Sequence, residues 1–568
     1  MAETLVSPGV LARENDLSFV SQQPVAVGAA IIGPTVKGPV EVPTIVTSYS
    51  DYSSLFGTTF DSGSDEYSFF TSIAAYNYFQ NGGESLLVAR VVSGSYSSAS
   101  TTGNQAPSGS NTSGSFILQT LGEGVIMNSS SSLDSSGSLA SGSSDNIRWE
   151  ISNPSTSSGT FDLLIRRGDD NTNNKIILET WTNLSLDPKA DNYISKVIGD
   201  QVESYNVATN QVTITGDYRN ASRYVRVSSV PGATLNYFDN NGVAKTSLTG
   251  FIPAASSGSF TGATGDVKAG ANFYNNINSS NTQGLEGGNY TNMISLLANQ
   301  DDYVFNVLLT PGLYNADYTA QCTSMINNTQ TRGDSLFVLD LVAFSSNVTA
   351  VTSEAASRNT SYAASYWPWV QVIDPDLGRQ VWVPASTVIG GVYAYNDSVS
   401  EPWFAPAGIN RGGLGQVVRA EQKLNSTNRD TLYSNKVNPI ASFPATGVVV
   451  YGQKTLQTRA SALDRVNVRR LLIELKGYIS QVADNLVFEQ NTIATRNSFL
   501  SAVNPYLEGV QQRQGLYAFK VIMDESNNTA DVIDRNQMVG QIYIQPTKTA
   551  EFIYLDFNIL PTGATFPA

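Results

Sequence analysis

The chain has 568 residues, enough for about three or four domains with separate apolar cores. Its 33 Lys and Arg stand against 48 Asp and Glu, a net charge of −15 that disfavours general binding to nucleic acid. Histidine is absent, which removes the usual neutral-pH general base, the Ser-His and Cys-His nucleophile pairs and every His-ligated metal site. The single cysteine, Cys322, cannot close a disulfide within the chain and reads as a small buried side chain. Charged residues make up 14% against 41% apolar, a balance suited to a subunit covered by neighbours in an assembly. The start, Met1-Ala2-Glu3-Thr4-Leu5-Val6, lacks the basic and apolar regions of a secretion signal, and no run approaches a membrane span. The expectation is a chain made in the cytoplasm and not inserted in a membrane.

Residues 1–20 carry Pro8-Gly9 and Arg13-Glu14-Asn15-Asp16 without periodicity, and are predicted to form an extended arm. The β-branched run 25–34 and Pro43 to Thr47 predict strands, Ser48 caps a helix ending near Phe56-Gly57, and 67–79 carries a helical apolar stripe stopped by Asn81-Gly82-Gly83. A strand over 86–92 completes an α/β alternation. From Ser93 the composition breaks into Ser/Gly/Thr-rich tracts (93–115 and 129–144). Short strands at 116–121, 147–151, 161–166, 175–180, 212–214 and 224–227 make 93–285 a β-rich insertion.

The α/β signal returns with a helix at 290–297, a strand at 303–309, a helix at 318–326 and a strand at 335–342. From Trp367 to Leu424 the chain reads as turn-rich. Then 459–489 places Val468, Leu471, Leu472, Leu475, Ile479, Val482 and Leu486 within an arc of about 100°, the buried face of a long helix. A helix over 492–502, another opened by Asn504-Pro505, and strands at 516–523, 538–545 and 551–559 follow. The fold class is α/β and α+β, multidomain: a discontinuous core with an inserted β-rich domain and extended N- and C-terminal arms.

No motif carries catalysis. Gly447 to Gly452 is followed by Gln453 where a phosphate loop needs lysine, and Arg411 to Gly415 lacks the dinucleotide spacing. Asp374-Pro375-Asp376, Asp301-Asp302 and Asp169-Asp170 read as turn-capping carboxylates rather than a cation site. Arg332-Gly333-Asp334 and Arg167-Gly168-Asp169 are too short to mean adhesion, and sequons at Asn111 and Asn183 arise by chance in so Asn- and Ser-rich a chain. An enzyme reading would hang on Ser386 near Asp374 and Asp376 without a histidine to activate it. No catalytic residue, metal or cofactor is expected. The most informative pattern is charge segregation: residues 411–520 hold fourteen Lys and Arg against seven Asp and Glu. On the long helix Arg465, Arg469 and Lys476 project within about 40° of one another, a basic stripe for an acidic protein partner or a solvated face.

Ser7-Pro8-Gly9-Val10 followed by Glu14 to Ser18 resembles the N-terminal signature of contractile phage tail sheath proteins. Gly28 to Pro39, Thr47 to Asp51 with Phe56-Gly57, Tyr78 to Gly83, and Val88 to Val91 are similar to that family's first block. Val383 to Ser386 with Gly390 to Tyr393, Trp403 to Gly408, Tyr451 to Leu456, and Asn527 to Asp534 resemble its C-terminal blocks. The resemblance covers about 90 N-terminal and about 200 C-terminal residues, and leaves the insertion without a family signature.

The resemblance implies a non-enzymatic subunit that stacks as hexameric rings around a tail tube and contracts from a metastable state. Partners would be further copies, the tube protein, and baseplate and tail terminator proteins, with no direct nucleic acid, in a virion tail. A sheath of another contractile injection system is the alternative, and a surface adhesin a weaker one. Residues 1–20 (Leu5, Val6, Val10, Leu11) and 547–568 (Phe552, Tyr554, Leu555, Phe557) would be arms exchanged between subunits. Residues 21–92 and 286–360 would form the core, 93–285 an outward insertion, and 361–546 an inner domain facing the tube through Arg465, Arg469 and Lys476.

Overall fold

The computed structural model describes residues 27–554, except 103–105, 111–113, 130–131, 271–272 and 445. The N-terminal arm with Leu5, Val6, Val10 and Leu11, and the tail positions Leu555 and Phe557, lie outside the described residues.

The runs VGAAIIG, LLVAR and LFVLD are apolar without alternation, as strands buried on both faces must be. They enter one eight-stranded sheet in the order Thr44–Val46, Leu86–Arg90, Val27–Gly33, Phe305–Tyr314, Leu336–Asp340, Ala363–Trp367, Val437–Phe443 and Gly447–Val450. The six inner strands are parallel and each outermost strand pairs antiparallel with its neighbour. Ala30 lies opposite both Leu87 and Leu308, so the two halves of the core close across the insertion. Leu309 abuts Gly390 of the helix Ser386–Val399, while Leu308 lines a small void with Met325 of the helix Thr319–Arg332. Successive strand residues point to opposite faces, so helices cover the sheet on both sides.

Several expectations meet their elements directly. The helix Tyr49–Phe56 begins at Ser48, whose hydroxyl accepts from the Asp51 N–H at 3.1 Å, and ends at Gly57 with φ +69°. The next helix is shorter than predicted, Phe70–Gln80, because Asp65–Ser68 pairs with Thr59–Ser62 as a hairpin. The larger correction lies between 367 and 424. That stretch contains strands Val370–Ile373, Gln380–Val383 and Val417–Ala420 and the helix Ser386–Val399. The helix is buried almost all round, so it shows no polar stripe, and Gly390-Gly391 argued against it. Gly391 is needed there: a Cβ would stand 2.7 Å from the Asn77 carbonyl oxygen of the neighbouring helix. The core therefore does not stop at residue 360. Three strands of the same sheet lie beyond it, and 361–546 is not a single inner domain.

The insertion has its own apolar core, with Phe116 stacked on Phe161 at 5.4 Å among Trp149, Leu163, Ile165 and Leu184. Its largest sheet orders Ile177–Ser185, Thr160–Arg167, Ile147–Ser155 and Ser256–Gly258, all antiparallel. Beneath it the buried Asp170 accepts from Arg166 at 2.7 and 2.8 Å and from the Ile176 N–H, with Arg148 at 3.4 Å. The chain rejoins the main core where Ile277 and Leu285 pack into it and Gln283 accepts from the Phe70 N–H.

The long helix runs Val466–Asp484, starting later than predicted because a short 3-10 turn, Ala462–Asp464, precedes it. All of the predicted apolar face except Val468, which is buried elsewhere, packs with Phe499, Val503, Leu507 and Val510 of the helix Ile493–Gln512. That helix is continuous, where two were expected. Pro505 sits inside it, and the side chains flanking it, Val503 and Leu507, are fully buried and hold the turn in place. The antiparallel pair Leu516–Ile522 and Gln541–Pro546 completes this C-terminal unit. Residues 551–554 carry no strand, and the rest of the third strand expected over 551–559 lies outside the described residues.

Candidate functional site

The residues singled out for chemistry are committed elsewhere. Cys322 is buried, and burial pushes its thiol up to about 12. Ser386 donates to Asp340 at 2.5 Å, Asp374 caps the N–H groups of Asp376 and Leu377, and Asp376 accepts from Tyr49 at 2.6 Å. Each tripeptide Arg-Gly-Asp closes on itself, Arg332 with Asp334 at 2.8 Å and Arg167 with Asp169 at 2.6 Å. Asp302 accepts from Asn299. Among the described residues no group of three or more Cys, Asp or Glu is placed to hold a metal ion.

What the structure leaves unfinished is a surface. In the C-terminal hairpin the inward residues Phe519, Val521, Ile542 and Ile544 pack on the helices, while Tyr517 and Tyr543 are 63% and 55% exposed. Among the described residues neither strand pairs with a third. Both outer edges are thus free of a third strand, with side chains meeting only single carbonyls such as that of Tyr517, to which Gln511 donates at 2.8 Å. At the tip of the helical pair Phe488 is fully exposed with φ +71°, a backbone region an aromatic residue rarely adopts.

The predicted basic stripe does not survive as a free surface. Arg469 is buried, lies 4.0 Å over the Tyr362 ring and donates to Ser361. Arg465 is paired bidentately with Glu551, its Nε at 2.7 Å and a terminal nitrogen at 3.0 Å. Of the three, Lys476 alone is exposed, with its Nζ 3.4 Å from the Tyr362 hydroxyl. Helical projection found the shared face correctly, but it cannot say that the face lies against the main core. Arg470, which projection left aside, is buried on Tyr393 and paired with Asp397, tying the long helix to the helix Ser386–Val399.

Glu551 was not singled out in the sequence, since a lone glutamate near a strand-like run gives no signal. Its carboxylate also accepts from the Tyr433 hydroxyl at 2.7 Å and from Gln453 at 3.1 Å. Burial alone would raise its pKa; the hydrogen bonds from Arg465 and Tyr433 outweigh that and hold it below the usual range. Beyond it Phe552, Ile553 and Tyr554 are 69%, 76% and 88% exposed.

Residues 283–456 match the family model for the phage tail sheath protein central domain, and residues 458–560 match the phage tail sheath C-terminal domain. Two curated tail sheath proteins are similar over part of the chain. That of Vibrio phage KVP40 is 43% identical over 208 residues, and that of Enterobacteria phage T4 is 40% identical over 191. Residues 283–560 carry the central and C-terminal domains of the contractile phage tail sheath family. The two matches span 37% and 34% of this chain, and 31% and 29% of the relatives, less than a third of their length. The fold agrees over nearly the whole chain. The sheath tail protein of Listeria innocua gives a TM-score of 0.52 at 11% identity, covering 92% of this chain and 96% of that one. The sheath complex of an extracellular contractile injection system in its contracted state gives 0.50 at 15% identity, with 98% of both chains covered. The two family domains meet between residues 456 and 458, after the last strand of the main sheet and before the long helix. The sheath family is a structural one.

Proposed function

We propose that this chain is the repeating subunit of a contractile tail sheath, stacked as hexameric rings around a tail tube and shortening from a metastable extended array. The observation that carries the reading is the unfinished C-terminal hairpin in a sheath family chain, two strands with both edges open and tyrosines in solvent. Strand addition from neighbouring subunits would complete it, each backbone hydrogen bond contributing about 1 kcal/mol net. The donors are the N-terminal arm with Leu5, Val6, Val10 and Leu11, and the C-terminal segment with Phe552, Tyr554, Leu555 and Phe557. Such links persist while subunits rotate, so a change of packing in one ring propagates to the next.

The C-terminal unit faces the tube in this reading, with Lys476 as the basic contact left open and Arg465 and Arg469 fixing the helix that presents it. The insertion, whose core is separate from the main one, projects outward. The tube, baseplate and terminator proteins are the further partners, in a virion tail assembled from subunits made in the host cytoplasm. A sheath of a non-phage contractile injection system is a second reading, favoured by the fold shared with one such sheath complex.

Electron microscopy of the purified protein, alone and with its tube protein, tests the proposal. Hollow cylinders of stacked six-subunit rings are expected. A monodisperse monomer under both conditions would sink it.

A further inference from the structure

After the hairpin ends at Pro546, the chain crosses from the C-terminal unit back to the main core in a few residues. Thr547 donates to the Gln514 carbonyl at 2.7 Å, Thr549 accepts from Gln453 at 2.5 Å, and Glu551 reaches Arg465, Tyr433 and Gln453. These three partners come from three separate segments. Tyr433 lies on the helix Ser426–Ser434, Gln453 follows the edge strand Gly447–Val450, and Arg465 is the N-cap of the long helix. The segments are themselves tied together. The Val466 N–H donates to the Gln453 carbonyl at 2.8 Å, and Lys454 donates to the Tyr433 carbonyl at 2.8 Å with its Nζ 4.3 Å from the Tyr433 ring. Arg465 is further steadied by Asp464 at 2.9 Å. The socket is therefore rigid before the tail enters it, and a bidentate Arg–carboxylate pair fixes direction as well as position. Immediately past it come the exposed Phe552, Ile553 and Tyr554.

We infer that Glu551, seated in the socket of Arg465, Tyr433 and Gln453, is the fixed point from which the C-terminal connector leaves the subunit, and that these four are positioning residues for subunit exchange. The inference rests on the reading that residues after Glu551 join a second copy of this chain. A connector launched from a fixed point toward its acceptor loses less freedom on binding than one hanging from Pro546, so the socket lowers the concentration needed for assembly.

Spin labels at Thr427→Cys, on the helix that carries Tyr433, and at Tyr554→Cys read the socket directly, since the buried Cys322 does not compete for label. A narrow distance distribution is expected in the otherwise unaltered chain. Glu551→Gln should broaden it at least about twofold with only a small fall in melting temperature, and raise the critical concentration for tube formation on the order of tenfold. The exchange Arg465→Glu with Glu551→Arg should narrow it again. An unchanged width in both Glu551→Gln and Glu551→Ala overturns the inference, and so does a broadened distribution with unchanged assembly. Deleting 552–568 separates the two readings. If the shortened chain builds tubes like the full one, the connector reading itself falls, and the inference with it. If it does not, while Glu551→Gln assembles normally, only the socket falls.

Discussion

In the main sheet every residue of Leu86–Arg90, Leu336–Asp340 and Ala363–Trp367 is buried, whereas along Gln541–Pro546 of the C-terminal hairpin exposed and half-buried positions alternate and Tyr543 stands in solvent. The two regions use the same kinds of strand-forming residues. They differ in what finishes them. Six inner strands satisfy one another, and helices seal both faces, so the core is complete within one chain. A two-stranded hairpin with a single covered face is marginal on its own and gains most from additional strands. Burial is thus concentrated in the main sheet, and unpaired strand edge in the C-terminal hairpin.

If the core is complete in itself, its weak points should be internal, and the largest is Asp340. This carboxyl is fully buried at the end of its strand, where burial pushes its pKa up to about 7 despite hydrogen bonds from the Ser386 hydroxyl and N–H. The folded state then keeps a proton that the unfolded chain has already lost. That contribution is intact below about pH 4 and disappears as pH rises through 7, a loss of about 4 kcal/mol from this site. Asp340→Asn keeps the shape and has no such titration. Denaturation of both proteins from pH 5 to 8 should show the variant gaining on the parent as pH rises, and parallel profiles would refute the assignment.

Two glycines sharpen the comparison because they predict opposite signs. In the core, a methyl at Gly391 would meet the Asn77 carbonyl oxygen at 2.7 Å and the Asn81 amide at 2.8 Å. Gly391→Ala should cost about 2 kcal/mol, the clash exceeding the gain in helix propensity. In the C-terminal unit, a methyl at Gly477 meets nothing within 4 Å on the exposed face of the long helix. Gly477→Ala should stabilise by about 0.8 kcal/mol. Equal effects in thermal melts would mean that the two helices are not packed as differently as the structure has them.

The same contrast explains how far the residues themselves could be read. Strands with uniform apolar runs, the cap at Ser48 and the apolar face of the long helix all leave local patterns, and each meets its element, Val468 of that face excepted. Ser386–Val399 left none, because total burial erases amphipathicity and a helix that needs Gly391 for close approach looks like a turn. Pro505 misled in the other direction, since a local breaker was overruled by packing on both sides of it. For the candidate site, the sequence blocks pointed to the family and helical projection grouped Arg465, Arg469 and Lys476. Which of them remain free depends on Ser361, Tyr362 and Glu551, partners 86 to 114 positions away, and no spacing rule reaches that far.

The smallest effect on the isolated chain should accompany the largest on assembly. Tyr517 and Tyr543 project from the hairpin away from its packed face, so replacing both by threonine keeps strand propensity and removes little that the monomer buries. Monomer stability should move by less than about 0.5 kcal/mol. In a sheath whose neighbouring strands cover this hairpin, each ring would be buried, and losing one removes about 1.5–3 kcal/mol of apolar contact. The critical concentration for tubes should then rise more than about tenfold per residue, read by sedimentation. A core substitution such as Gly391→Ala should do the reverse, lowering the melting temperature of the monomer while leaving intact tubes once they form below it. If the tyrosine pair changes melting and assembly in proportion, the hairpin is part of the subunit's own core and the division between a finished and an unfinished region is wrong.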